Sequence, residues 1–236
     1  SIAFAEMLGI TTLKDPSSYG PALVLGGGEV RLLDMTSSYG VFATEGKKAL
    51  PVSILRVADT KGNVLQENQN TPIRVISPAL AKQITSILSD NSARTPVFGP
   101  NSPLLIPNYS VAVKTGTTQE YKDAWTIGYT PSLVAGVWVG NNDNSPVEKG
   151  GAGLMAAAPI WHDFMIGALN TAPLENFTPP EPVITEKPVL NGQPQNNEIL
   201  QFINKNEPQG EAPLNPENDS QYKNWEAALK NWLQIR

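Results

Sequence analysis

The chain contains no cysteine and only one histidine, His162, among its 236 residues. The absence of cysteine excludes a disulfide scaffold, a thiolate metal site and a cysteine nucleophile. A single histidine makes an imidazole metal site a poor prospect, and we expect neither a metal nor another cofactor. The chemistry of the protein is therefore to be sought among its hydroxyl, carboxylate and ammonium groups.

The chain also has no excess of basic charge and no long apolar run. Its 17 basic and 22 acidic residues give a net charge of -5 without a basic stripe, so we expect no nucleic acid partner. No apolar run is long enough to span a bilayer. The sequence opens with Ser1-Ile2-Ala3, which is neither a start methionine nor a signal peptide. We interpret it as a piece of a longer protein whose targeting segment lies upstream.

The composition divides the chain near residue 170. Residues 1–170 carry helix and strand patterns, whereas residues 171–218 contain nine prolines and many amide side chains. A segment of this kind buries little apolar surface and is typical of an extended tail. A short amphipathic helix is predicted for residues 220–235, so the second region, 171–236, is predicted to be a tail with a terminal helix.

The first 109 residues predict helices and short strands. Apolar spacing favours a helix over residues 29–42 and another over 77–89, the latter capped by Ser77. Residues 51–66 favour two strands around a turn. Residues 92–109 contain four prolines and no periodicity, which predicts a loop.

Three strands follow in quick succession, over residues 111–117, 123–129 and 133–139. The last two are joined by residues 130–132, a hairpin turn pattern. A largely apolar helix is then predicted over residues 154–169, and it would pack on the sheet. These elements predict an α/β fold with an antiparallel sheet flanked by helices.

The first of these strands ends in the run Lys114-Thr115-Gly116-Thr117-Thr118. Alternate strand residues point to one face, so the hydroxyls of Thr115 and Thr117 can both donate to one carboxylate. Gly116 leaves room for a substrate backbone to lie along the strand. A backbone N–H near Thr117 can donate to a developing oxyanion. The pattern indicates a site for a peptide carboxylate, although a strand end with a solvated lysine explains the tripeptide K-T-G alone about as well.

The flanking residues favour the first interpretation. The stretch VKTGTTQEYKDAWTIGYTPSLVAGVWVGNND resembles the third-motif region of class A (bifunctional) penicillin-binding proteins. Upstream, the stretch ALVLGGGEVRLLDMTSSYGVFATEGKKALPVSILRVADTKGNVL resembles the segment before that motif. The resemblance covers about residues 1–170 and is weak or absent in the tail.

This resemblance implies the serine β-lactamase and penicillin-binding transpeptidase fold, of which the chain would hold the C-terminal part. It implies a D,D-transpeptidase that cross-links peptidoglycan stem peptides ending in D-Ala-D-Ala and is acylated by β-lactams. Lys114 would be catalytic, supplying positive potential and hydrogen bonding to the catalytic serines. Thr115, Gly116, Thr117 and Thr118 would bind the substrate, and the Thr117 N–H would serve the oxyanion hole. The family also implies a location on the extracytoplasmic face of the inner membrane, with the anchor upstream.

Two stretches match the other motifs of the family in the wrong places. Ser89-Asp90-Asn91 spells S-D-N, but it ends a predicted helix, where Asp and Asn act as terminators. Ser220-Gln221-Tyr222-Lys223 spells S-x-x-K, but it follows K-T-G and opens a predicted exposed helix, where capping explains the serine better. We therefore expect the nucleophilic serine in a missing upstream segment, and the N-terminal remainder of the same protein as a partner. A non-catalytic module that binds peptide carboxylates, or an envelope scaffold piece, stays open as the alternative.

Overall fold

The computed structural model of the chain describes residues 1–147 and 153–182, together with positions 207, 210, 211, 214, 215, 218, 220 and 222–224. The chain divides into two compact units, Ser1–Pro180 and Glu181–Arg236. Within the second unit only residues 222–224 are described as α-helical, so most of the helix predicted for residues 220–235 lies outside the described residues.

The first unit contains five described α-helices and seven strands. The helices are α1 (Ile2–Leu8), α2 (Leu32–Ala43), α3 (Pro78–Ser89), α4 (Asn91–Phe98) and α5 (Ala157–Leu169). The strands are β1 (Lys47–Lys48), β2 (Arg56–Ala58), β3 (Val64–Glu67), β4 (Ile73–Arg74), β5 (Ala112–Thr117), β6 (Asp123–Tyr129) and β7 (Val134–Gly140). The three predicted strands of the main sheet are confirmed as β5, β6 and β7.

The main sheet is antiparallel, with the strand order β5-β6-β7. Its register places Lys114 opposite Ile127 and Thr115 opposite Thr126. The two short pairs β1–β4 and β2–β3 form separate two-stranded sheets. The β2–β3 pair confirms the hairpin predicted within residues 51–66, and Asp59 holds its turn by accepting from the backbone N–H of Asn63 at 2.9 Å.

Helices cover both faces of the main sheet. On one face the side chains of Leu32 and Thr36 in α2 lie against Gly136, and the Tyr129 hydroxyl bonds to Thr85 of α3 at 2.9 Å. Burial raises the pKa of Tyr129 to about 12, although its hydrogen bond to Thr85 acts in the opposite direction. On the other face the indole of Trp161 in α5 lies against Gly128. Because Gly128 and Gly136 alternate in face along the paired strands, the sheet is sandwiched between helices.

The apolar core lies between the sheet and α5. Its buried members come from the loop before β5, from β5 and β7, and from α5: Leu104, Ile106, Val111, Val113, Ala135, Ala158, Trp161, Met165 and Leu169. A smaller cluster joins α1, α2 and α3 through Leu8, Val41, Ile76 and Ala81. The strand that carries K-T-G therefore packs into the core through Val111 and Val113, which come just before Lys114.

The helix predicted over residues 77–89 is confirmed, including its cap. The Ser77 hydroxyl accepts from the N–H of Leu80 at 3.3 Å, and Pro78 occupies the first helical position. The loop predicted over residues 92–109 is wrong in its first half, because α4 occupies Asn91–Phe98. Pro96 lies inside this helix, and Asp90 caps its first turn by accepting from the Ala93 N–H at 3.0 Å.

The first unit continues past the predicted boundary at residue 170. After α5 the Tyr109 hydroxyl donates to the carbonyls of Leu169 and Ala172, at 2.6 and 3.0 Å. The ring of Phe177 then meets that of Tyr129 edge-on, with centroids 5.6 Å apart. These contacts hold residues 171–180 within the first unit, and the tail predicted for the rest of the second region stays a prediction.

Candidate active site

Within the described part of the chain, strand β5 forms an edge of the main sheet, with one side open. The N–H of Thr118 donates to the carbonyl of Asp123 at 3.1 Å, so the backbone groups of Thr118 point toward β6. Because hydrogen bonding alternates along an antiparallel strand, the N–H and C=O groups of Thr115 and Thr117 point to the open edge. The edge thus offers a backbone donor at Thr117, in a position to pair with an extended peptide or a developing oxyanion.

Lys114 is exposed beside this edge. Its ammonium donates to the carbonyl of Thr115, which is the one hydrogen bond of that group within the described residues. The two ion pairs of the described chain join Lys82 to Glu45 and Lys122 to Glu120, so neither neutralises Lys114. The positive charge therefore remains available at the rim of the strand.

Thr117 is exposed and its hydroxyl has one partner among the described residues. The Thr117 hydroxyl oxygen accepts from the N–H of Gly153 at 2.9 Å. A hydroxyl that accepts one hydrogen bond still has its proton to donate. Thr115 lies two residues earlier on the same face, and Gly116 between them faces Trp125, whose Cβ a side chain at Gly116 would meet at 3.5 Å. The strand thus presents the side chains of Thr115 and Thr117 on one face, and their binding of a carboxylate stays a prediction.

Thr118 has a different set of contacts. Its hydroxyl donates to the Asp123 carboxylate at 2.9 Å and accepts from the Asp123 N–H at 2.8 Å. The other carboxylate oxygen of Asp123 accepts from the Trp138 indole at 2.8 Å. The Thr118 hydroxyl is thus engaged in both directions, and it fixes the connection between β5 and β6.

A groove of about 220 Å³ runs along Lys114 and Thr115 toward the junction of α3 and α4. Its apolar walls come from Ile87, Leu88, Phe98, Leu104 and Val113. Arg94 and Asp90 supply the polar part of the lining. Burial lowers the pKa of Arg94, while the charge of Asp90 acts in the opposite direction.

The family of the chain follows from comparison with known proteins. The model of the penicillin-binding protein transpeptidase domain matches residues 17–166, which include α2, α3 and the whole main sheet. The chain belongs to the penicillin-binding protein transpeptidase family.

Comparison with individual relatives supports this family assignment. Penicillin-binding protein 1A of Aquifex aeolicus is 35% identical over 180 residues, covering 76% of the chain and 24% of that protein. The chain therefore spans about a quarter of the length of this curated relative. Among solved structures, the penicillin-binding protein PonA1 from Mycobacterium tuberculosis is 32% identical with a TM-score of 0.65, covering 76% of the chain and 52% of that structure. The same protein is also known in complex with penicillin V.

The fold of this penicillin-binding transpeptidase chain is thus the predicted one, an antiparallel sheet flanked by helices. The solved relatives support the α/β class that the resemblance implied. In the described part of the chain, no helix has both the length and the apolar character needed to span a membrane.

The S-D-N stretch forms the junction between two helices. Ser89 is the last residue of α3, and its hydroxyl donates to the Ser86 carbonyl at 3.3 Å. Asp90 ends α3 and caps α4, while the Asn91 amide donates to the Pro100 carbonyl at 3.1 Å. The prediction that these residues terminate a helix is confirmed.

The serine of the S-x-x-K stretch, Ser220, is exposed in the second unit. Lys223 lies within the short helical stretch 222–224. The prediction that this serine is not the nucleophile stays a prediction.

Sequence reasoning missed three residues around the K-T-G strand. Asp123 bridges Thr118 and Trp138, and Arg94 lines the groove. Gly153 bonds to Thr117 across 36 sequence positions. No pattern in the sequence marked these residues, since each acts through a contact between separate elements. His162, by contrast, is a bonded structural residue, with its Nδ1 3.0 Å from the Pro103 carbonyl oxygen.

Proposed function

We propose that this chain supplies the substrate-binding strand of a serine D,D-transpeptidase that cross-links peptidoglycan stem peptides. The observation that carries the proposal is the K-T-G-T run on the open edge of β5, in a chain of the transpeptidase family. An ammonium that has no carboxylate partner among the described residues, two hydroxyls on one face and an outward backbone N–H are together suited to a peptide with a terminal carboxylate.

The proposed reaction has two steps. The hydroxyl of a serine attacks the carbonyl of the penultimate D-Ala, an ester forms, and the terminal D-Ala leaves as an amine after receiving a proton. An amine of a neighbouring peptidoglycan strand then attacks the ester. This step forms the new peptide bond and returns the serine hydroxyl. β-Lactams carry a carboxylate and a reactive carbonyl in similar positions, so we propose that they acylate the same site.

Each residue of the strand has a proposed part in this reaction. Lys114 supplies positive potential to the serine as it loses its proton. Thr115 and Thr117 donate to the terminal carboxylate, while the Thr117 N–H donates to the oxyanion. Gly116 lets the substrate lie close to the strand. The Thr118 hydroxyl bonds to Asp123, and the expected contact of Thr118 with substrate stays a prediction.

We propose that the nucleophilic serine lies outside these 236 residues. Within the described residues the Lys114 ammonium meets no serine hydroxyl, since its one hydrogen bond goes to the Thr115 carbonyl. This same observation is what favours the alternative function, a binding module without chemistry. The two candidates differ in whether the intact protein is acylated by penicillin at all.

The proposed partners are stem peptides, β-lactams and the N-terminal remainder of the same protein. That remainder would bring the serine to Lys114. It would also place the domain on the extracytoplasmic side of the membrane through an upstream anchor, as the family resemblance implies.

Replacing Thr117 by valine in the intact protein should slow acylation by a carboxylate-bearing β-lactam by roughly 10- to 100-fold. A hydrogen bond to a charged group contributes about 1.5–3 kcal/mol, and valine keeps the shape of threonine without the hydroxyl. The rate is measured with a fluorescent penicillin under second-order conditions.

Thr117→Ser is the matched control, because it keeps the hydroxyl and should retain most of the rate. Acylation of Thr117→Val at the wild-type rate would show that Thr117 does not bind the carboxylate. Absence of acylation in the wild-type protein itself would instead favour the binding module.

A further inference from the structure

The peptide of Gly153 is tied to both strands of the β5–β6 pair. Its N–H donates to the Thr117 hydroxyl oxygen at 2.9 Å, and its carbonyl accepts from the Thr126 hydroxyl at 3.2 Å. Gly153 is buried although Thr117 is exposed. The segment that leads from the main sheet to α5 is therefore anchored directly beneath the proposed carboxylate site.

Only glycine fits at this position. A Cβ on Gly153 would lie 2.6 Å from the Gly116 carbonyl oxygen and 2.8 Å from the Trp125 carbonyl oxygen. Both atoms belong to the backbone of paired strands, so neither can move aside as a flexible side chain would. Any side chain at residue 153 must push the segment away from β5 and lengthen its bond to Thr117.

The bond from Gly153 also determines what the Thr117 hydroxyl can do. A hydroxyl has one proton to donate and two acceptor lone pairs. With the backbone N–H on one lone pair, the proton is directed elsewhere, and no described residue accepts it. Hydrogen bonds in a chain polarise one another, so an accepted bond makes the hydroxyl a better donor.

We propose that Gly153 is a positioning residue for Thr117: its N–H holds the hydroxyl in one rotamer and leaves the proton to donate to a bound carboxylate. The inference rests on the proposed function, in which Thr117 binds the terminal carboxylate of a stem peptide or a β-lactam. It extends the site to Gly153, in the segment before α5, a residue that has no side chain to suggest a role.

Amide hydrogen exchange tests the bond without reference to activity. In the intact protein, peptides containing Gly153 are compared among wild type, Thr117→Ser and Thr117→Val. We expect slow exchange in wild type and Thr117→Ser, and exchange at least about fivefold faster in Thr117→Val, which removes the acceptor. Equal exchange in all three proteins would overturn the proposal, because the N–H would then not depend on the hydroxyl.

A double-mutant cycle tests the consequence for acylation. Gly153→Ala should slow acylation by a carboxylate-bearing β-lactam by about tenfold in the wild-type background, and by less than about twofold when Thr117 is already valine. Gly167→Ala in α5 is the matched control, since a Cβ there meets nothing within 4 Å, and it should leave the rate unchanged.

An equal loss from Gly153→Ala in both backgrounds would overturn the proposal and leave Gly153 a purely structural residue. If Gly153→Ala does not fold, the exchange comparison decides, since it uses only Thr117 variants. If the wild-type protein is not acylated but Gly153 exchange responds to Thr117, the proposed function fails while the hydrogen bond stands.

Discussion

Lys114→Met in the intact protein should reduce acylation by penicillin by about 10²- to 10³-fold. A preorganised charge or donor beside the reacting atoms contributes on this scale once bound substrate excludes water from the site. The Lys114 ammonium suits this role because it is close to the open edge of β5 and has no carboxylate partner among the described residues. Methionine keeps most of the length and the apolar stem while removing the charge.

Lys122→Met is the matched control for this substitution. Lys122 follows the same strand and pairs with Glu120 at 3.1 Å on the surface. An exposed ion pair contributes about 1 kcal/mol or less, so the acylation rate should change by less than about fivefold. Comparable losses in the two variants would mean that net charge near the strand matters rather than the position of Lys114.

Trp161→Ala should lower the free energy of unfolding of the transpeptidase domain by about 3–5 kcal/mol. Trp161 is 0% exposed, and its indole donates to the Ala135 carbonyl at 3.2 Å. The ring also lies so close to β6 that a Cβ on Gly128 would be 2.4 Å from it. Removing the ring empties the space between α5 and the sheet and leaves the Ala135 carbonyl without its side-chain donor.

Phe164→Ala, on the same helix, is the control for Trp161→Ala. Phe164 is 54% exposed, so the loss of its ring should cost only about 1 kcal/mol. Urea unfolding, monitored by far-ultraviolet circular dichroism so that the signal does not depend on the removed tryptophan, compares both variants with wild type. Similar losses for the two variants would contradict the placement of the core between α5 and the sheet.

Local features of the fold could be read from the sequence. The strands β5, β6 and β7 follow the alternation of apolar residues, and Ser77 with Pro78 marks the start of α3. These predictions succeed because strand pairing across a short turn and helix capping depend on neighbours in sequence. The α5 helix begins at Ala157, later than the predicted residue 154, and Pro159 lies in its first turn, where a missing N–H costs little.

The helix α4 could not be read from the sequence, because its stability comes from contacts outside itself. Four prolines between residues 92 and 109 favoured a loop, and Pro96 does lie inside the helix. Arg94 compensates by donating to the Leu88 carbonyl and, at 3.4 Å, to that of Asp90. Contacts of this kind with the end of the preceding helix outweigh the low helix propensity of the segment.

The sequence predicted the strand of the candidate site but not the residues that support it. The K-T-G-T run identified the strand because its residue types carry their own chemistry. The support of that strand was hidden, since Gly153 acts through its backbone and Asp123 through a cross-connection with Trp138. The open edge of β5 also depends on strand order, which no single segment specifies.

Peptide mapping of the penicillin adduct tests most directly the central claim, that this chain binds the acyl donor while the nucleophile comes from elsewhere in the protein. The intact protein is labelled with a fluorescent penicillin, digested, and the modified serine is located by mass spectrometry. We predict a single adduct on a serine outside these 236 residues, which is lost or strongly reduced in Lys114→Met. An adduct on Ser89 or Ser220 would contradict the claim, because the nucleophile would then lie within the chain.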